Sequence, residues 1–121
     1  MTIGRMEALH LILPVVFRLP EIPDLELEFV LDTGFTGDLT LPLATVQRLG
    51  LEFKSKLIAK LATDDAVELL VYGAIIVWQG EVREVNTLAT GTRPLLGTAL
   101  LSGDEMTAQF VENGLVTVDE L

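Results

Sequence analysis

A period-two alternation in the first third of the chain constrains its fold more than any other feature. Leu9, Leu11, Leu13, Val15, Phe17 and Leu19 take the odd positions, while His10, Pro14 and Arg18 fall between them. Successive side chains of an extended strand point to opposite faces, so the pattern predicts a strand over 8 to 19 with one strongly apolar side. Residues 20 to 24, Pro-Glu-Ile-Pro-Asp, carry two prolines and an aspartate and read as a turn. Leu25, Leu27, Phe29 and Leu31 then resume the alternation, so residues 8 to 31 form a hairpin that must bury one face.

The rest of the chain repeats short apolar runs between turn residues. Pro42 suits the start of a short helix in which Leu43, Val46 and Leu49 share a face and Gly50 supplies the C-terminal cap. Strands are predicted over 53 to 62, 67 to 78 and 82 to 89, joined by Thr63-Asp64-Asp65-Ala66 and by Gln79-Gly80, with Gly73 as a bulge or bend. Residues 98 to 103 suit a helical turn stopped by Gly103, and 102 to 105 a loop. Asn113-Gly114 between alternating runs gives the strongest short hairpin signal in the chain. The expectation is an all-β barrel or folded sandwich with one or two short helices, and at 121 residues a single domain over 1 to 121.

Composition narrows the function. Half of the residues are hydrophobic and the mean hydropathy is +0.48, a surplus that burial against a second subunit would absorb. With 18 acidic against 8 basic residues the net charge is -10, a field that repels phosphate backbones and anionic lipid. Neither nucleic acid nor a membrane is therefore an expected partner. No cysteine and one histidine leave no thiol nucleophile and no thiolate or imidazole metal cluster, so no metal and no cofactor are expected. The absence of disulfides is compatible with a cytoplasmic location. A secretory leader is the alternative for the N-terminus, opposed by Glu7, His10, Pro14 and the lack of a small-residue cleavage site. No apolar stretch approaches the roughly 20 residues that span a bilayer.

One carboxylate stands out. Asp24, Glu26 and Glu28 lie on the even, polar face of their strand, and Asp32 shares that parity but follows Val30, where the strand enters an apolar region. A carboxylate there loses hydration and calls for hydrogen-bond donors. Thr33 supplies a hydroxyl that can lock the turn, and Gly34 lets backbone approach the acid or a ligand closely. Read in isolation, Asp32-Thr33-Gly34 also suits an ordinary Asx turn at a strand end.

Context supplies a further meaning. An apolar strand leads into Asp32-Thr33-Gly34, residues 35 to 42 lead on to a short helix, and about 60 residues later Leu95-Leu96-Gly97 forms a second apolar-apolar-Gly before a helical turn. This order resembles the single-domain retropepsin-like aspartic proteases, over roughly residues 8 to 118. The resemblance implies an acid-protease barrel closed by a flap hairpin, with Asp32 catalytic, Thr33 bracing the two catalytic loops of a homodimer and Gly34 contacting substrate. It implies that Leu95, Leu96 and Gly97 pack beside the catalytic loop, and that residues 61 to 69, with Thr63, Asp64 and Asp65, form the flap over a peptide or protein substrate. Two departures are visible. Phe35 and Thr36 stand where viral members usually carry Ala and an acidic residue, and Thr98 stands where they often carry Arg. Phe35 is expected to narrow the neighbouring subsites.

One Asp-Thr-Gly per chain implies two chains. Water attack on a peptide needs a base for the water and an acid for the carbonyl, and two adjacent carboxylates sharing one proton supply both. The resemblance thus implies an aspartic endopeptidase formed by a C2 homodimer, for which segments 6 to 13 and 115 to 119 offer interface material. A dimeric peptide-binding or assembly module without turnover is the alternative, motivated by Phe35. The other polar groups read as ordinary: His10 as a surface or interface residue, Asp64 and Asp65 as solvated turn acids, Tyr72 and Trp78 as packing groups.

Overall fold

The computed structural model describes residues 1–60 and 62–121. Its first hairpin starts earlier than the alternation suggests. Strand β1, Thr2–Glu7, pairs antiparallel with β2, His10–Phe17, in a register that sets Glu7 opposite His10. The connection is Ala8-Leu9, with φ of 49° and 64°, a two-residue turn whose twist matches the flanking strands although neither residue is Gly or Asn. The predicted strand over 8 to 19 is therefore the second strand of the sheet, shortened at both ends.

β2 continues into β3, Leu25–Leu31, and here parity holds as expected. Leu13, Val15, Phe17, Leu19, Phe29 and Leu31 are buried, and the Phe17 and Phe29 rings stack at 6.0 Å. Asp24, Glu26 and Glu28 are exposed on the other side. After β4, Leu39–Leu41, comes α1, Leu43–Leu49. Pro42 precedes it with φ -56°, and Gly50 ends it at φ 65°, its N–H bonding to the Gln47 carbonyl. Val46 is the fully buried member of the helix's apolar face.

β5, Glu52–Lys60, and β6, Ala66–Trp78, form a long hairpin, and β7, Glu81–Ala89, pairs along the other side of β6. The expected irregularity at Gly73 lies across the ladder, where the β5 register slips between Phe53 and Ser55. Gly73 accommodates it: a Cβ there would stand 2.6 Å from Cε of Lys54. Gln79-Gly80 makes the tight turn into β7, with φ of 51° and 76°. Leu61, within the predicted strand over 53 to 62 and the flap segment, lies outside the described residues.

The C-terminal part departs more from expectation. β8 is only Leu95–Leu96, and residues 98 to 103 form successive turns in which Leu101 N–H bonds to Thr98 O and Ser102 N–H to Ala99 O. β9, Asp104–Ala108, takes in two residues of the predicted loop. β10, Leu115–Glu120, pairs with it across a loop of residues 109 to 114, so Asn113-Gly114 is not a two-residue hairpin turn. Asn113 adopts φ 60°, whereas Gly114 is required for closeness, since a Cβ would stand 2.1 Å from Gln109 O.

Among the described residues the strands form one sheet, in the order β5-β6-β7-β4-β8-β3-β2-β1-β10-β9, and a further β2–β6 pairing curls it on itself. The buried residues of β2, β3, β4, β6, β8 and β10 make a continuous core with Val46. Trp78 lies within it and its indole N–H donates to Asp104, while Tyr72 packs edge-on against Phe53, so both aromatics serve packing as expected. Among the described residues no helix is long and apolar enough to cross a membrane.

Candidate active site

Asp32 sits where β3 ends, in a turn fixed by crossing strands. β8 inserts between β3 and β4, parallel to the first and antiparallel to the second, with Leu31 and Leu39 both opposite Leu96. The Asp32 N–H donates to Leu96 O at 2.9 Å, extending the β3–β8 ladder by one bond. The chain then turns sharply, with Phe35 N–H donating to Asp32 O at 3.1 Å. Gly34 N–H donates to Asp32 Oδ1 at 2.9 Å, which supplies the donor that a half-buried carboxylate needs. Oδ2 of Asp32 has no hydrogen-bond partner among the described residues, and Thr33 and Gly34 are exposed. The carboxylate is therefore oriented by its own turn and presented outward.

The second motif holds this turn from behind. Thr98 N–H donates to Phe35 O at 2.9 Å, Gly97 N–H to Asp38 O at 2.8 Å and Ala99 N–H to Gly37 O at 3.2 Å. Gly97 is buried, and a Cβ on it would meet Gly37 O at 2.1 Å and Phe35 Cδ2 at 2.6 Å. A Cβ on Gly37 would likewise meet the Phe35 ring at 2.6 Å. The ring therefore lies between two glycine backbones. Leu95, Leu96 and Gly97 pack beside the Asp32 turn, and Phe35 is half-buried against the glycines that frame it.

Beside this turn a cleft of about 330 Å³ runs between residues 35 to 38 and the sheet. Leu57 of β5, Val71 of β6 and Leu88 of β7 give it an apolar wall, and Asp38 and Asn86 give it a polar edge. The Asp38 carboxylate accepts from Asn86 N–H at 3.2 Å, which ties the turn to β7. Phe35 lines the cleft without closing it. A slightly larger groove of about 360 Å³ lies near Met1, Val77 and Gly80, but Glu26 is its only ionisable side chain, and Glu26 pairs with Val16 toward the end of the β2–β3 ladder away from Asp32.

The residues expected to form a flap stand apart from the cleft. Thr63, Asp64 and Asp65 are exposed at the tip of the β5–β6 hairpin, where the Thr63 hydroxyl bonds to Asp65 and Lys60 pairs with Asp64 at 3.5 Å. They do not line the cleft; Leu57, lower on the same hairpin, does. Sequence reasoning also passed over Gly37, Asp38, Asn86 and Leu88. Gly37 carried a legible signal, a glycine two residues after a bulky ring, whereas Asn86 and Leu88 depend on the parallel β4–β7 pairing, which nothing local announces.

No protein-family model matches the chain, and no curated protein does. Among solved structures the chain is similar to a retropepsin-like aspartic protease from Rickettsia conorii, at 17% identity and a TM-score of 0.60, over 98% of this chain and 90% of that one. At that identity the likeness concerns the fold, which is retropepsin-like and all-β, with one short helix among the described residues.

Proposed function

We propose that the chain is an aspartic endopeptidase that works as a C2 homodimer, Asp32 of each subunit forming one acid–base pair. The observation that carries this reading is the Asp32 turn: a carboxylate oriented by Gly34 N–H, held to β8 through Leu96 O and set beside an apolar cleft under a hairpin. The retropepsin-like fold adds to it.

Two such carboxylates close together cannot both ionise, a general property of aspartic protease pairs. The ionised Asp32 takes a proton from water as the oxygen attacks the peptide carbonyl carbon, and the protonated partner donates to the carbonyl oxygen. The tetrahedral gem-diol then collapses: the C–N bond breaks, the nitrogen receives a proton from the dyad, and an acid and an amine leave. No covalent acyl-enzyme forms. The free Oδ2 of Asp32 is the oxygen available for these transfers, because Oδ1 is engaged by Gly34.

A diverse peptide library incubated between pH 3 and 7 tests the proposal. Wild type is expected to cut it, and Asp32→Asn to lose at least about 100-fold in kcat/KM while remaining folded and dimeric. Phe35 favours a second reading, in which the dimer binds peptides or assembles with a partner without turnover, because its ring occupies space beside the catalytic turn. Peptide binding with no cleavage, equal in wild type and Asp32→Asn, would select that alternative.

A further inference from the structure

We infer that the cleft beside the Asp32 turn receives a lysine or arginine side chain of the bound peptide, its aliphatic stem against Leu57, Val71 and Leu88 and its cationic head at Asp38. The inference rests on the protease reading above and names the class of substrate that the cleft prefers.

Strand register assembles the cleft. Ser55 of β5 pairs with Val71 of β6, and Val71 with Leu88 of β7, so these side chains share one face of the sheet. Leu57 and Asn86, each two residues along a strand from that row, lie on the same face. β4 runs parallel to β7, with Leu39 beside Thr87 and Thr40 beside Leu88. One step back along both strands brings Asp38 to Asn86, and there Asp38 Oδ2 accepts from Asn86 N–H at 3.2 Å. The Asp38 carbonyl accepts from Gly97 N–H at 2.8 Å, so the backbone of this residue is held from the other side. The carboxylate is thereby fixed at the end of an apolar wall.

Charge then selects what enters. Among the described residues Asp38 is the only ionisable side chain lining the cleft. It is half-buried, its Oδ1 has no hydrogen-bond partner among the described residues, and none of their ion pairs includes it. The lysines of β5 are engaged elsewhere: Lys54 with Glu52 and Glu84, Lys56 with Glu68 and Lys60 with Asp64. A carboxylate partly removed from water and left without a cation costs free energy, which an incoming ammonium or guanidinium offsets. Lysine and arginine are the side chains that combine an apolar stem with a cationic tip. A purely apolar side chain would cover the wall but leave Asp38 without a partner, and an acidic one would be repelled. The net charge of -10 acts in the same direction, drawing cationic peptides toward the molecule.

Binding tests the subsite without requiring turnover. Asp32→Asn protein is titrated, by fluorescence anisotropy, with labelled octapeptides in which each position in turn carries lysine, norleucine or glutamate. Norleucine keeps the aliphatic stem of lysine and removes its charge. At one position lysine is expected to bind about tenfold tighter than norleucine, with glutamate weakest. Adding Asp38→Asn should abolish that preference, whereas adding Asp119→Asn, which removes the same charge from an exposed site on β10, should leave it in place. Asparagine at position 38 keeps an oxygen for Asn86 N–H, so the fold is expected to persist by circular dichroism, and the comparison of lysine with norleucine needs no change at that position. Equal binding of lysine and norleucine at every position, or a preference that survives Asp38→Asn, overturns the inference and leaves the protease reading intact. A preference that depends on Asp38, in a protein whose wild type cuts none of these peptides, upholds the subsite and removes the protease reading.

Discussion

The turn that carries Asp32 owes its placement to contacts about 60 residues away in the sequence, and the tightest of these is at Gly97. Any side chain at position 97 collides with Gly37 O, which is backbone and cannot swing aside, so the two motifs must separate for it to fit. Gly97→Ala is expected to destabilise the chain by about 3 kcal/mol in urea unfolding, the upper range for an overpacked site. On the protease reading proposed above, the loss of peptide cleavage should exceed the loss of folded protein, because Leu96 O and Thr98 N–H hold the Asp32 turn directly. At this scale the sequence was informative: Asp32-Thr33-Gly34 and Leu95-Leu96-Gly97 are short motifs legible from their residue types, although the demand for glycine at 97 comes from Gly37, 60 residues away. The role of Phe35 was less legible. Its bulk was visible, but its placement between Gly37 and Gly97 depends on a contact between distant segments.

Elements were legible in proportion to how local their determinants are. Alternation fixed the buried face of β2 and β3, and Gly50 fixed the end of α1. β1 was missed because Ala8-Leu9 makes its turn with residues that carry no turn signature, and left-handed φ values at such residues are set by the strands they join. Asn113-Gly114 erred the other way: the dipeptide signals a tight hairpin, but its backbone is taken up by β1, through Met6, before it can close one. The pairing of β4 with β7 contains a further element-level consequence. The Thr40 and Thr87 hydroxyls are buried on these strands with no hydrogen-bond partner among the described residues. Thr87→Val keeps the shape and removes an unsatisfied group, so it is expected to raise unfolding free energy by about 1 kcal/mol, measured by urea titration with an unchanged m-value.

The ion pairs among the described residues are all exposed. A hydrogen bond from Arg18 holds the Asp24 carboxyl below its ordinary range, and one from Arg5 does the same for Glu28, while Arg5 is held higher by Glu28 and Glu7. A carboxyl depressed on folding contributes stability that is present above its unfolded value and lost as pH falls through the folded one. The melting temperature is therefore expected to drop on acidification below about pH 4, with the differences between wild type and Asp24→Asn or Glu28→Gln vanishing in the same window. Both pairs are open to water, so these differences should be small and should shrink with added salt. At this scale, the alternation and turns pointed to a closed all-β fold, but strand order was not readable, because parallel neighbours such as β3 and β8 are chosen by packing across the whole chain.

The insertion of β8 between β3 and β4 also sets a temporal order. Asp32 lies in the first third of the chain, yet the backbone that fixes its turn is Leu96 to Ala99, and parallel pairing across so long a loop forms slowly. A chain emerging from the ribosome therefore carries its aspartate on an unbraced turn until residues 96 to 99 have emerged as well. The residue comes early and its setting late: the turn takes its final shape only with the last third of the fold.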